Sequence, residues 1–210
     1  MSCLEIRGLS VALPPGADRP YALQDVSLTL EKGKILCVVG ESGSGKSMTA
    51  GAVMRLLPEG VRVTAGQVLL AGEDLLTRSE AEMRRLRGAR VAMIFQEPMT
   101  ALNPLRSIGD QIGESFRIHT SLDAAEIERR VLALLEEVRI PDPRRALKAY
   151  PHELSGGQRQ RAMIAMALAL EPEVLIADEP TTALDVTTQA QILALIRDLQ
   201  ARHGTAVLFI

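Results

Sequence analysis

Leu154-Ser155-Gly156-Gly157-Gln158-Arg159-Gln160-Arg161 places a serine and two glycines ahead of the helix-forming run Gln158–Leu170. A serine at such a start is an N-cap, and the glycines leave backbone N–H groups open. That is an anion site without a lysine. A second one lies upstream. Gly40-Glu41-Ser42-Gly43-Ser44-Gly45-Lys46-Ser47 matches G-x-x-x-x-G-K-[ST], after the apolar run Ile35–Val39 and before the helical run Met48–Leu57. Its glycines let amides turn inward around a β-phosphate, and the helix start adds partial positive charge. Lys46 is placed for the β- and γ-phosphates, and the Ser47 hydroxyl for Mg²⁺. Two anion sites in one chain suggest that the second serves another molecule's nucleotide.

Between the two sites and beyond them the texture changes twice. Short β-like runs, Leu4–Val11, Ala22–Leu30, Gln67–Ala71 and Val91–Phe95, occupy the first part. Ile35–Val39 reads as a fully buried strand that encloses the Cys37 thiol. Helical periodicity runs from Pro98 to about Arg145: Ile127, Val131, Leu134, Leu135 and Val138 share a face behind Asp123 as N-cap and Glu126 as its third residue. After Tyr150-Pro151 an α/β pattern returns, with a strand Val174–Ala177, a helix Thr187–Arg202 ended by Gly204, and a strand Ala206–Ile210.

Val174-Leu175-Ile176-Ala177-Asp178-Glu179-Pro180 is an apolar run closed by two carboxylates. Unbroken apolar residues suit a parallel strand buried on both faces, and ligands bind at the carboxyl ends of such strands. Asp178 is then placed for Mg²⁺, and Glu179, one residue further out, for the attacking water. Gln96, past Val91–Phe95, could touch both with a neutral amide.

Composition narrows the partners. The net charge of −2 over 210 residues shows no basic surplus for nucleic acid. The longest apolar run, Ala162–Leu170, is too short for a bilayer, which takes about 20 apolar residues. Met1-Ser2-Cys3-Leu4-Glu5 lacks the apolar core of a signal peptide, and Cys3 and Cys37 make no disulfide framework. The expectation is a soluble cytosolic domain whose membrane link runs through a partner.

On these motifs the chain resembles the ATP-binding subunit of an ABC transporter over essentially its whole length. It is similar in particular to the peptide/nickel importer branch, which takes in dipeptide, oligopeptide and glutathione importers. Phe95-Gln96-Glu97-Pro98-Met99-Thr100-Ala101-Leu102-Asn103-Pro104, Tyr150-Pro151-His152-Glu153 and Ala177-Asp178-Glu179-Pro180-Thr181-Thr182-Ala183-Leu184-Asp185 carry that likeness. It implies an α/β fold: a P-loop NTPase (RecA-like) core at 1–96 and 151–210, with an antiparallel β subdomain, and an inserted α-helical subdomain at 97–150. By resemblance the nucleotide-binding set is Gly40 to Ser47 with Met48, Ser155, Gly156, Gly157, Gln158 and Asp185. Lys46, Gln96 and Glu179 are catalytic, Ser47, Gln96 and Asp178 hold the metal, and Ala183-Leu184-Asp185 is the D-loop that couples the two ATP sites across the dimer. The implied cofactors are ATP and Mg²⁺.

The implied function is ATP hydrolysis that drives import of a peptide, nickel or similar small solute at the cytoplasmic face of the inner membrane. The implied partners are a second ABC ATPase domain, membrane-spanning permease subunits and, indirectly, an extracytoplasmic solute-binding protein. A translation- or repair-type ABC ATPase and a catalytically silent ATP-binding half are the alternatives. The stretch between Gln96 and Ser155 is too short for the coiled coil of chromosome-type members, and a P-loop kinase or GTPase leaves Ser155–Gln158 unexplained.

Two departures from the family pattern stand out. The switch histidine expected past the last strand is absent, so a C-terminally truncated domain is expected, its final strand near the sheet's centre. His203 lies before that strand, at a helix end, and His119 and His152 read as loop or surface residues. The family's adenine-stacking aromatic has Leu13 in its place, with Tyr21 the nearest aromatic at a different spacing.

Overall fold

Two four-stranded sheets divide the protein. The computed structural model describes residues 2–182 and 184–210, so Ala183 of the expected D-loop lies outside the described residues. Strands β1 (Ser2–Ala12) and β2 (Tyr21–Glu31) are antiparallel, as are β1 and β4 (Arg62–Leu70). A short β5 (Glu73–Asp74) returns along β4 through Ala71 and Gly72, both at positive φ as a tight hairpin turn requires. Burial along β1 switches from Leu4 and Ile6 to Leu9 and Val11, because an irregularity at Gly8 inserts an extra residue.

The second sheet is wholly parallel, in the order β3 (Ile35–Cys37), β8 (Ala206–Phe209), β7 (Val174–Ala177), β6 (Val91–Ile94). Its two faces serve two cores. Val174, Ile176, Ala206 and Leu208 pack with β1, β2, β4 and helix α1 (Lys46–Met54). Leu175, Ala177 and Val207 pack with the helices that follow β6. Burial on both faces is why Val174–Ala177 reads as an unbroken apolar run. β8 lies inside the sheet, as expected.

β3 corrects the sequence reading. It is three residues long and its outward side chains, Ile35 and Cys37, are exposed; Val39, expected to extend it, is 89% exposed. Cys37 is therefore not a core thiol. The reason is topological: β3 is an edge strand paired only with β8 among the described residues, and an apolar run does not announce whether it will be central or lateral. Helix α1 also stops earlier than expected. Arg55 adopts a left-handed C-cap conformation with its N–H bonded to Ala52 and Gly51, well ahead of Pro58 and Gly60.

A helix not read from sequence, α2 (Glu80–Leu86), starts on a full capping box between Ser79 and Glu82. The Ser-x-x-Glu spacing carried that signal. Between β6 and β7 come α3 (Pro98–Ala101), α4 (Ile108–His119), α5 (Ala124–Glu137), α6 (Pro143–Lys148) and α7 (Gly156–Leu168), then α8 (Val186–His203) before β8. Asp123 caps α5 by accepting from Glu126 N at 2.8 Å, and Ile127, Val131, Leu135 and Val138 are buried while Leu134 is half-buried. Gly204 closes α8 at φ 66, and His203 in its last turn bonds Glu137 at 2.9 Å, tying α8 to the segment Ala124–Glu137.

The segment between α3 and α4 is shaped by one buried side chain. Gln111, 6% exposed, accepts from Asn103 N at 2.8 Å and donates to Asn103 O at 3.0 Å and Arg106 O at 2.9 Å. Gln111→Leu leaves those backbone groups unpaired, at a cost of about 2–3 kcal/mol. The expected drop in Tm is roughly 5–10 °C, measurable by thermal denaturation; an unchanged Tm would show that the clip is dispensable.

Candidate phosphate-binding site and the acidic strand end

Parallel pairing brings the carboxyl ends of β3, β6 and β7 to one edge of the sheet, and the candidate residues sit on the loops just beyond those ends. After β3 the chain curls through Gly40–Gly45 into α1. Lys46 Nζ donates to Gly40 O and Glu41 O, both at 2.8 Å, so the loop wraps around its own ammonium group. Gly45, at φ 95, N-caps α1, and a Cβ there would lie 2.5 Å from Ala22 O. No side chain therefore fits at that position. The helix start has no side-chain cap and no acidic residue in its first turn. Open amides beside an ammonium group with no carboxylate partner among the described residues fit a polyphosphate.

Ser47 Oγ donates to Asp178 Oδ1 at 3.0 Å. Asp178 is 5% exposed, and its own N–H bonds Ile94 O at 3.0 Å. Burial pushes its carboxyl above the usual carboxylate range; the Ser47 hydrogen bond and Lys46 oppose that shift, and Glu179 adds to it. A hydroxyl and a carboxylate make a hard oxygen pair. Among the described residues no group of three or more His, Cys, Asp or Glu could hold a metal. A cation at this pair would complete its shell with phosphate oxygens and water, which suits Mg²⁺. Gln96 Nε2 donates to Glu179 Oε2 at 2.9 Å, joining the ends of β6 and β7.

The structure thus gathers Lys46, Ser47, Gln96, Asp178 and Glu179 at one sheet edge. It does not hydrogen-bond Ser155–Gln158 to any of them. Ser155 N-caps α7: its Oγ accepts from Gln158 N at 3.3 Å, while Gln158 Oε1 accepts from Ser155 N at 2.9 Å. This narrows the open amides to those of Gly156 and Gly157. Gly157 faces Thr188, where a Cβ would meet the methyl at 3.0 Å. Asp185 caps α8, accepting from Thr188 N at 3.0 Å and Thr188 Oγ1 at 2.6 Å, which holds its carboxyl below the usual range. Met48 is half-buried against the core under β1 and β2.

Among the aromatic candidates, Tyr21 opens β2, 39% exposed and paired with Ala12, and Leu13 is half-buried. The side chain that does reach the phosphate loop from this region is Arg19, which donates to Gly43 O. Nothing local in the sequence marks it. His152 is exposed and stacks on Tyr150, with ring centroids 5.8 Å apart.

The sequence profile described as "ABC transporter" matches residues 23–182, which takes in both glycine motifs and the acidic strand end. The chain belongs to the ABC transporter family. Relatives in this family include the peptidoglycan transport ATP-binding protein YejF of Agrobacterium fabrum, 54% identical over 99% of this chain and 38% of its own length. The probable D,D-dipeptide transport ATP-binding protein DdpD of Escherichia coli is 52% identical over 99% of this chain and 63% of its own length. The glutathione import ATP-binding protein GsiA of Salmonella typhimurium is 51% identical over 99% and 34%. The chain thus spans less than two thirds of each of these relatives. The dimeric bacterial ABC transporter cassette MJ0796 superposes with a TM-score of 0.86 at 27% identity, covering 98% of this chain and 86% of that one. Its form bound to ADP and Pi gives 0.85. The ABC cassette fold is therefore that of this chain.

Asp178 yields a prediction on stability. Its native pKa is raised, so the protonated form is favoured by folding. That contribution is complete below the ordinary carboxylate value of about 4 and is lost as pH rises through the raised one. Without nucleotide, Asp178→Asn should melt above the wild type at pH 7, with the gap closing as pH falls toward about 4. The same variant should bind nucleotide with less help from Mg²⁺. A lower melting temperature for the variant at pH 7 would contradict the assigned burial cost.

Proposed function

We propose that the chain binds and hydrolyses ATP, and that this powers import of a peptide-like solute. The observation that carries the proposal is the pair of links Ser47–Asp178 and Gln96–Glu179, which joins the phosphate loop's edge of the sheet to the acidic strand end at hydrogen-bond distance. The relatives' names speak of peptidoglycan, D,D-dipeptide and glutathione, which supports a peptide-like solute over nickel.

Lys46 and the amides of Gly43–Ser47 hold the β- and γ-phosphates once the ammonium group exchanges its two loop carbonyls for phosphate oxygens. Ser47, Asp178 and Gln96 would hold Mg²⁺, which would supply charge neutralisation at the phosphate oxygens as the bond from the γ-phosphorus to its leaving oxygen breaks. Glu179 orients the attacking water and takes its proton. Positioning and electrostatics carry most of the rate, as is general for phosphoryl transfer.

Ser155–Gln158, unconnected to this cluster within the chain, completes the site of a second cassette packed head to tail, with the amides of Gly156 and Gly157 toward that partner's nucleotide. Asp185 and its neighbours lie beside α7's start and touch the same interface. Permease subunits then dock on the helices between Gln96 and Tyr150 at the cytoplasmic face of the membrane, with an extracytoplasmic binding protein delivering the solute. Among the described residues no helix is long and apolar enough to cross a membrane, which fits a peripheral ATPase.

Glu179→Gln keeps the acceptor for Gln96 but removes the base. Turnover should fall by about 10²-fold or more, and an ATP-bound dimer should persist in size-exclusion chromatography. Wild-type turnover by this variant would contradict the role given to Glu179.

A further inference from the structure

Glu179 carries two carboxylate oxygens, and both of its described side-chain hydrogen bonds fall on the same one. Oε2 accepts from Gln96 Nε2 at 2.9 Å and from Thr182 Oγ1 at 3.0 Å, whereas Oε1 accepts none from the described residues. The two donors differ in how they are mounted. Gln96 stands on the segment leaving β6 toward α3. Thr182 belongs to the turn that begins at Glu179 itself, with Thr182 N bonded to Glu179 O at 3.3 Å.

That turn is held from several sides. Glu179 sits at φ 43, a left-handed conformation that a non-glycine residue holds only where its surroundings fix it. Its N–H is fixed on Ile210 O at 3.0 Å. Beyond Thr182, Leu184 N bonds Thr181 O at 3.1 Å, and Gln189 Nε2 of α8 bonds Thr181 O at 3.1 Å and Leu184 O at 3.0 Å. The hydroxyl of Thr182 is thus delivered to the carboxylate by a braced turn, and it stays in place if the Gln96 segment moves.

We propose that Thr182 is a positioning residue for ATP hydrolysis: its hydroxyl pins Glu179 Oε2 and leaves Oε1 as the oxygen that faces water. The proposal rests on Glu179 being the base.

The test is steady-state ATP hydrolysis by the protein and its Thr182→Val, Thr182→Ser and Glu179→Gln variants. Valine keeps the branched shape without the donor, and serine keeps the donor. Thr182→Val should lower kcat about tenfold with KM for ATP within about twofold. Thr182→Ser should stay within about twofold of wild type in kcat. Wild-type kcat in Thr182→Val, with Glu179→Gln inactive, would overturn the role of Thr182 and leave Glu179 as the base. Equal losses in the valine and serine variants would make Thr182 a structural residue and overturn the proposal. Turnover by Glu179→Gln would remove the base itself, and the role of Thr182 with it.

Discussion

The hydrogen bond from Ser47 Oγ to the buried carboxylate of Asp178, 3.0 Å long, is the contact on which the site's geometry depends. It spans residues far apart in the chain and can form only if β3 and β7 run in the same direction with matched carboxyl ends. β8 lies between them and sets that registry, pairing Cys37 with Phe209 on one side and Phe209 with Ala177 on the other. The glycine loop follows the first of these ends and the two carboxylates follow the second. A buried acid is an expensive thing to place there, and its hydrogen bond to Ser47 and the charge of Lys46 only partly offset the cost. The arrangement is one that a bound cation relieves.

The two halves of the proposed chemistry are built differently. The phosphate loop is held by backbone: Lys46 on two carbonyls, Gly45 against Ala22, Arg19 on Gly43. The water-handling half is held by side chains that meet across elements, Gln96 on one strand end and Thr182 on the turn after another. Backbone cradles are rigid by construction, whereas a carboxylate met by donors from two elements responds when either element shifts.

Much of this was legible in the sequence because the signals were local. The phosphate motif, the apolar run ending in Asp178 and Glu179, the Asp123 cap and the Gly204 stop each depend on neighbours along the chain. What the sequence does not announce depends on distant contacts or on irregular turns. Ile35–Val39 has the composition of a buried strand, but its burial is decided by which strands flank it, and β3 is an edge that leaves Cys37 in the open. Arg19 reaches a loop far along the chain, while Gln111 and Thr182 meet nearby partners through turns whose shape no standard motif marks. Ser79 and Glu82 are the exception, since their capping box was local and readable. The open helix start at Ser155 is legible in its serine and glycines, whereas the reciprocal bonding of Ser155 and Gln158, which leaves only the glycine amides, is set by the side-chain conformations in the fold.

The central claim is that each nucleotide site is shared between two chains, with the Lys46 loop of one and the Ser155 segment of the other. Mixing two inactive variants tests it most directly: Lys46→Ala, which lacks the phosphate lysine, and Ser155→Arg, which blocks the helix start. A shared site predicts that each alone is inactive while the mixture regains ATP turnover, because mixed dimers contain one intact composite site. A mixture as inactive as its components would place both motifs of one site on the same chain and contradict the account.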